Sequence, residues 1–402
     1  LVGSEMCIRD SKSEIPYDIT FTNMAGHFVE LLSPSEINPL YEKWDATMLP
    51  IVPEEEGGWQ YKVSPNCVKG YSDIKKELQS DKYDVIIHAG DADQEGELLV
   101  NLLLNHMHNH LPVIRLWTNA MTEDDILKGY KNMEDDSLPK YRNLYYAALV
   151  RQHSDWRFGI NGSRALAAKI HTNKDNRIAC GRIMTAIQNI IVEREDEINN
   201  FVPSTSYGVK ITYKNGLEGN LLNTDSTEND KQSLLYFENK DDATEIINRL
   251  NDTSVVTEFQ KETVKTYAPK LFSLTDIQGA ASSRYHYDVD YTSGLIQSLY
   301  EKKYLTYPRT DCRVLSSNDD FDGMLKAVTS LSQFSEYAYL TAEIPRIKTF
   351  KKYVNDKELL KHGHTALVPT SVAPDIDALP LDERNISVSY THLRAHETSL
   401  HL

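Results

Sequence analysis

Cysteine is scarce in this chain. Its 402 residues include four, Cys7, Cys67, Cys180 and Cys312, too far apart for any CxxC pair. That excludes zinc ribbons and paired redox thiols, and suits a reducing compartment. No Gly-Lys dipeptide occurs anywhere, so a phosphate loop of the Walker A kind is missing, and direct ATP chemistry of that type with it. Long apolar runs are missing too. The strongest, Leu98 to Leu104, is seven residues long and broken by Asn101, far short of the ~20 that cross a bilayer. Positive charge is in deficit: 43 Lys and Arg stand against 59 Asp and Glu, a net charge of −16. A uniformly basic coat for nucleic acid is thereby ruled out, while a local basic surface is not. No internal repeat is visible, and the length calls for two to four domains.

The first third alternates strand-like and helix-like patterns. Residues 17–23 and 83–88 are β-branched and aromatic runs, and residues 97–110 follow as a helix with Leu98, Leu99, Leu102 and Leu103 spaced for one buried face. Residues 113–117 form a further strand, and Thr122 with Glu123 and Asp124 opens another helix as a cap and acidic first turn. This is a βαβα rhythm. Residues 144–199 read as helical, broken by a polar loop at 172–177. Residues 206–222 and 254–265 alternate like strands around an acidic, Asn-rich stretch. Helix signals return from Ser273, with Thr275 placed to cap residues 276–285 and Thr292 to cap 293–302.

The stretch HAGDADQEGE, His88 to Glu97, follows directly on an apolar strand. In an extended chain alternate side chains share a face, which points Asp91, Asp93 and Glu95 the same way at the strand's C-terminal end. Three carboxylates so placed repel one another unless a cation lies between them, and hard oxygen ligands favour Mg²⁺. That edge of an α/β sheet is also where ligands usually bind. An acidic solvated turn is the plain alternative. The string AGDADQEGELL resembles the metal-binding motif of the toprim domain, shared by topoisomerases, bacterial primases and some nucleases.

A second motif, LTYPRTDC, runs from Leu305 to Cys312. Pro308 favours an extended Tyr307, so Tyr307 and Arg309 can face one side. A free tyrosine has a pKa near ~10, which leaves about one in a thousand as phenolate at neutral pH. An adjacent guanidinium lowers that barrier and can bind a phosphate bidentately. With 23 tyrosines in the chain, packing is the ordinary fate of any one of them. The string QSLYE, five residues, then LTYPRTD is similar to the active-site region of type IA DNA topoisomerases, and toprim primases and nucleases lack it. The resemblance extends through GHFVELLSP at 26–34, RLWTNAMTEDDI at 115–126, RQHSDWRFGINGSRA at 151–165, GRIMTAIQNIIVERE at 181–195 and HTALVPT at 364–370. Within the family the pattern is nearest to topoisomerase III.

This resemblance implies a multidomain α/β plus α and β chain: a toprim, Rossmann-like domain followed by helical and β-rich domains of a partial four-domain torus. Expected boundaries are 12–146 for toprim, 147–202 for a helical DNA-binding segment, 203–268 for the β-rich part, 269–375 for the helical domain with the tyrosine, and 376–388 for a return to the β-rich domain. Family members cut one DNA strand, keep the 5′ phosphate on the tyrosine, pass another strand and reseal, without ATP. Carried over, Tyr307 is the nucleophile, Arg309 positions the scissile phosphate and stabilises its charge, and His364 hydrogen-bonds near it. Asp91, Asp93 and Glu95 hold Mg²⁺. Arg151, Asp155, Gly181 and Arg182 shape the DNA groove and active site. Between residues 151 and 190 there are seven basic residues against two acids, an excess that suits a strand-binding channel and adds Arg164 to that group. The implied molecule is a monomer in the bacterial cytoplasm, associated with the nucleoid and not with membrane. It acts on single-stranded DNA, with a helicase or single-strand-binding protein as partner.

Some features stand outside the pattern. Residues 1–11 and 389–402 resemble translated sequencing-adapter read-through, and the chain is expected to be a fragment whose native part is about 12–388. Met184 and Ala186 replace the Gln and Pro of many members. No counterpart of the family's first toprim strand, with its glutamate and lysine, lies upstream of Tyr17. A catalytically impaired DNA-binding fragment, or a toprim nuclease or primase, is therefore the competing reading. His106, His108 and His110 read as a polar helix end, and Trp117 and Trp156 as core.

Overall fold

The strand ahead of the acidic motif forms where the apolar run requires it, and it organises the first sheet. The computed structural model describes residues 19–24, 26–80, 82–170, 178–223, 234–251, 253–257, 270–317, 321–330, 353–362 and 364–387, with single residues 259, 261, 263 and 319. The chain divides into two units, Leu1–Gly181 with Thr266–Leu402, and Arg182–Lys265. The adapter-like tails and the polar loop expected at 172–177 lie outside the described residues.

In the first unit, β1 (Val29–Leu31) pairs antiparallel with β2 (Tyr61–Val63), and a short helix α1 (Pro34–Ile37) and a longer α2 (Val68–Leu78) flank them. β3 (Ile86–His88) and β4 (Val113–Arg115) run parallel, in register Ile86↔Val113 to His88↔Arg115, joined by the crossover helix α3 (Gln94–His106). After α4 (Glu123–Lys131) comes β5 (Glu134–Asp135), which adds antiparallel to β4. The βαβα reading of this region is therefore what the fold shows, with Thr122 capping α4 through Asp125 N–H as expected. Residues 19–23, expected as strand, are not one; Thr20 instead accepts a hydrogen bond from the Tyr83 hydroxyl.

α3 lies against the long helix α5 (Pro139–Ile170). Leu102, Leu103 and Met107 pack with Phe28, Val29 and Ile74 in one dry cluster. Burying such side chains stabilises by about 1.5–3 kcal/mol each. α5 is one uninterrupted helix, so the 146/147 boundary expected from sequence falls inside it. Asn161, on α5, receives Ile51 N–H at 2.6 Å and returns a hydrogen bond to Ile51 O at 3.0 Å, and Trp156 Nε1–H donates to Leu32 O at 3.1 Å. These side chains tie the loops around β1 and β2 to the helix, because buried backbone groups must find partners.

The same unit contains α8 (Leu274–Tyr285), α9 (Val289–Glu301), α10 (Phe321–Ser330) and α11 (Asp356–His362). Ile277, Ile296, Leu299, Leu305, Leu367 and Ile386 form its core. The capping residues differ from expectation. Ser273, in a capping box with Asp276, starts α8 in place of Thr275. Asp288 starts α9 in place of Thr292, which is wholly buried and gives its hydroxyl to Asp288 O. Both helices begin earlier than the apolar spacing suggested, since the cap side chain and not the first apolar residue sets the start.

The second unit holds α6 (Met184–Asn199), the antiparallel pair β6 (Tyr207–Gly208) and β9 (Tyr236–Phe237), the pair β7 (Lys210–Thr212) and β8 (Glu218–Asn220), and α7 (Lys240–Asn248). Residues 253–257 are described and are not strand. Among the described residues no helix is long and apolar enough to cross a membrane.

Candidate active site

β3 delivers the acidic loop. Its extended chain ends sooner than the sequence suggested, because α3 starts at Gln94 and Asp93 is its N-cap, accepting Gly96 N–H at 2.6 Å. Asp91 and Asp93 therefore keep the alternation, while Glu95 turns with the helix. Glu95 pairs with His27 Nε2 at 2.9 Å and with Arg151 from α5. The expected convergence of Asp91, Asp93 and Glu95 is corrected accordingly: they do not form a cation-sized cluster of three. Gly96 is required by the tightness of this turn. A Cβ there would lie 2.1 Å from Asp91 O, well inside any contact distance.

Beneath the loop is a charged group that sequence reasoning missed. Arg115, at the end of β4, has no exposed surface. Its Nε donates to Glu97 Oε1 at 2.6 Å, and its terminal nitrogens donate to the carbonyls of His88, Gly90 and Leu116 at 3.1, 2.8 and 2.6 Å and of Asp91 at 2.7 Å. His88 Nδ1 lies 2.9 Å from Asp136 Oδ1 and 3.7 Å from Glu97 Oε2. His88, Glu97 and Asp136 are close enough to ligate an ion, their candidate atoms lying within 4.8 Å of one another. Arg115 already supplies the positive charge there, so the group is a balanced ionic cluster. Burial, with Arg115 alongside, pushes the His88 imidazole down to about 4. Burial pushes Glu97 up to about 7 against the pull of Arg115. The signal available in sequence was Glu97 itself, set among Leu98, Val100 and Leu104 on the apolar face of α3, where a charge needs a buried partner.

Tyr307 arrives from the opposite end of the chain. Leu305 bridges to Pro369, Thr306 N–H donates to Val368 O at 3.0 Å, and Tyr307 N–H donates to Asn119 O at 2.8 Å. The side chain is 3% exposed, and its hydroxyl donates to Asp93 Oδ2 at 2.7 Å. His364 lies alongside, ring centroids 4.7 Å apart, with Nδ1–H donating to Asn119 Oδ1 at 3.2 Å. Tyr300 meets the Tyr307 ring edge-on at 5.7 Å.

Electrostatics at this oxygen run against a simple expectation. Burial first, then the Asp93 charge and the hydrogen bond to it, hold the Tyr307 phenol far above its ordinary range, with Arg309 pulling the other way. The guanidinium does not win, and the phenol is neutral. Burial and Asp93 also raise the Asp91 carboxyl, which Arg309 and Arg115 oppose. Burial and Arg115 keep His364 neutral, at about 4. Arg309 is exposed and close enough to act on both Asp91 and Tyr307.

Comparison with known proteins identifies the family. A family model described as DNA topoisomerase matches residues 139–391. The chain belongs to the DNA topoisomerase family. Its type IA, topoisomerase III-like character shows in relatives named DNA topoisomerase 3. That of Bacillus thuringiensis is 32% identical over 365 residues, 90% of this chain and 47% of the relative. That of Bacillus subtilis is 31% identical over 365 residues, 90% and 48%. The chain thus spans about half the length of the curated relatives it matches. A solved structure of full-length topoisomerase I from Thermotoga maritima shares the fold with a TM-score of 0.57 at 19% identity, covering 93% of this chain and 56% of that one.

The other residues that the family resemblance singled out are spread over both units. Arg151 is exposed and joins the site through Glu95. Asp155, also exposed, lies one turn further along α5. Arg164 is about 20 Å beyond Arg151 at 1.5 Å per helical residue. It is 7% exposed, with its guanidinium over the Trp44 ring at 5.0 Å and a hydrogen bond to Lys43 O. The structure packs that charge into the protein and away from solvent. Gly181 ends the first of the two segments that make up the first unit, and Arg182, exposed, begins the second unit. α3 ends at His106 and His108 has positive φ, so His106 and His110 share no helical face.

Proposed function

We propose that this chain breaks and rejoins single-stranded DNA through a 5′-phosphotyrosyl bond at Tyr307. The observation that carries the reading is the 2.7 Å hydrogen bond from the Tyr307 hydroxyl to Asp93. A neutral phenol is a weak nucleophile, and a carboxylate already hydrogen-bonded to it is placed as a general base. In the cleavage step Tyr307 Oη bonds to the scissile phosphorus as its proton passes to Asp93 Oδ2. The bond from phosphorus to the 3′ oxygen breaks, and that oxygen takes a proton from solvent. Arg309, exposed beside Asp91, binds the non-bridging oxygens and offsets their charge. Resealing reverses each transfer, and the stored phosphodiester energy makes ATP unnecessary.

The donor set fits Mg²⁺. Among the described residues no hydrogen-bond donor reaches the Asp91 carboxylate, and desolvation, then the neighbouring Asp93 charge, raises its pKa, so a hard cation satisfies both. Asp91 and Asp93 would hold it; Glu95 joins them only by giving up His27 and Arg151. When bound, the ion supplies charge neutralisation at the phosphate.

In this reading residues around β3, α3 and β4 form the toprim domain, and the later helices belong to a partial torus. Exposed Arg151 and Arg309 in the first unit support a single-strand substrate. The same reading takes the molecule as a cytoplasmic, nucleoid-associated monomer, with a helicase or single-strand-binding protein as its partner. The test is incubation of the chain with a 3′-end-labelled single-stranded oligonucleotide and Mg²⁺, followed by denaturation. A labelled protein band that Tyr307→Phe abolishes is expected. Binding without that band overturns the catalytic reading, and cleavage that survives Tyr307→Phe favours a toprim nuclease.

A further inference from the structure

β4 keeps contributing beyond the end of its pairing. The chain runs on through Leu116 to Asn119, and the alternate side chains Arg115, Trp117 and Asn119 each touch a different part of the site. Arg115 grips the acidic loop from below, through the carbonyls of His88, Gly90 and Asp91. Its guanidinium also lies over the Trp117 ring at 4.9 Å. Trp117 stands nearly parallel to the His364 imidazole, 14° apart at 6.0 Å between centroids. His364 in turn flanks the Tyr307 ring. Asn119 closes the path, holding His364 Nδ1 with its side chain and Tyr307 N–H with its carbonyl.

We propose that Arg115 is a positioning residue that holds the acidic loop and Tyr307 in one frame, with Trp117 and Asn119 carrying that frame across to the tyrosine. Its catalytic consequence rests on the proposed tyrosine chemistry; its structural content does not. Five N–H donors in a rigid plane suit the task. Nε is spent on Glu97, and the terminal nitrogens on four carbonyls, three of them in the turn that aims Asp91. A lysine ammonium offers three donors from one point and cannot span the same set. Fixing the turn fixes Asp93 at the head of α3, and Asp93 is the partner of the Tyr307 hydroxyl. A displacement at Arg115 therefore reaches the tyrosine from two sides.

Hydrogen–deuterium exchange on the full chain tests the frame without relying on turnover. In Arg115→Lys, exchange in residues 89–93 and in 306–309 is expected to accelerate together, by about tenfold or more, with α8 and α9 unchanged. In Trp117→Leu, which spares the grip on the loop, residues 306–309 accelerate while 89–93 stay near the parent rate. Loosening of 89–93 alone in Arg115→Lys, or uniform loosening of the whole unit in both variants, overturns the proposal. A second readout is adduct formation with a labelled oligonucleotide. Arg115→Lys is expected to slow it about 10–100-fold at saturating oligonucleotide, with the half-saturating concentration changed less than twofold. A parental rate in that variant overturns the proposal. A parent chain that forms no adduct counts against the Tyr307 chemistry, and the exchange result then still decides for or against the frame.

Discussion

The hydroxyl of Tyr307 and the carboxylate of Asp93 meet at 2.7 Å although 214 residues separate them in the chain. Neither residue is free to be elsewhere. Asp93 is fixed by its second oxygen as the cap of α3, and Tyr307 by its backbone bond to Asn119 and the flanking bridge at Leu305. The contact thus joins the acidic loop to the tyrosine segment, and it adds to burial in keeping the phenol neutral.

Removing that hydroxyl separates chemistry from folding. In Tyr307→Phe the ring still packs against Tyr300 and His364, and the half-buried Asp93 oxygen turns to water. The expected loss of stability is about 1 kcal/mol, read from urea unfolding, while the covalent DNA adduct disappears from a denaturing gel.

Asp93 has two jobs that two substitutions can divide. Asp93→Asn keeps an oxygen for Gly96 N–H but loses the charge that receives the proton. Stability near the parent is expected, with adduct formation slowed about 10²–10⁴-fold. Asp93→Ala loses the cap as well, which costs about 1 kcal/mol more. Equal adduct rates in Asp93→Asn and the parent would remove Asp93 as the base.

Much of this arrangement was legible before any coordinates. The strand, the acidic turn and the LTYPRTD motif are local patterns, and their pairing followed from family resemblance. What misled was the assumption that extended geometry persists through Glu95: a capping Asp ends a strand register within one residue, and local alternation cannot report that. The ionic cluster of His88, Glu97, Arg115 and Asp136 was hidden for a different reason. Its members come from β3, α3, β4 and the residue after β5, and only the fold shows that Arg115 points inward. Arg164 shows the converse, since counting charge along a helix says nothing about which face is buried.

The pH dependence of stability tests the burial of His364. Its folded pKa is depressed from 6.5 to about 4, so between those values the unfolded chain binds the proton more readily. Stability is therefore complete above about pH 6.5 and falls as the pH drops towards 4, by on the order of 3 kcal/mol for this one group. His88 falls from 6.5 to about 4, while Glu97 rises from 4.5 to about 7. Their contributions have opposite signs over nearly the same window and largely cancel, while burial raises Asp319 from 3.8 to about 6 and offsets part of the His364 slope, so His364 is read from the difference between the parent and a variant lacking it. Urea unfolding of the parent and of His364→Gln from pH 4.5 to 7 is expected to show that difference. A parental slope in that variant would place the titration elsewhere.

Arg151 and Arg164 lie on one helix and are expected to fail in opposite ways. Arg151 is exposed and paired with Glu95, within reach of a phosphate that enters the site. Arg151→Ala is expected to weaken oligonucleotide binding and to lower the slope of log affinity against log salt by about 0.7, the loss of one neutralised single-strand phosphate. Arg164 is 7% exposed, stacked on Trp44, and presents no charge to solvent. Arg164→Ala is expected to cost about 1–3 kcal/mol of stability, from the lost ring contact and stem packing, with the salt slope unchanged. Fluorescence anisotropy of a labelled oligonucleotide over a salt series, beside urea unfolding, measures both. A reduced salt slope in Arg164→Ala would return that side chain to the DNA-binding surface.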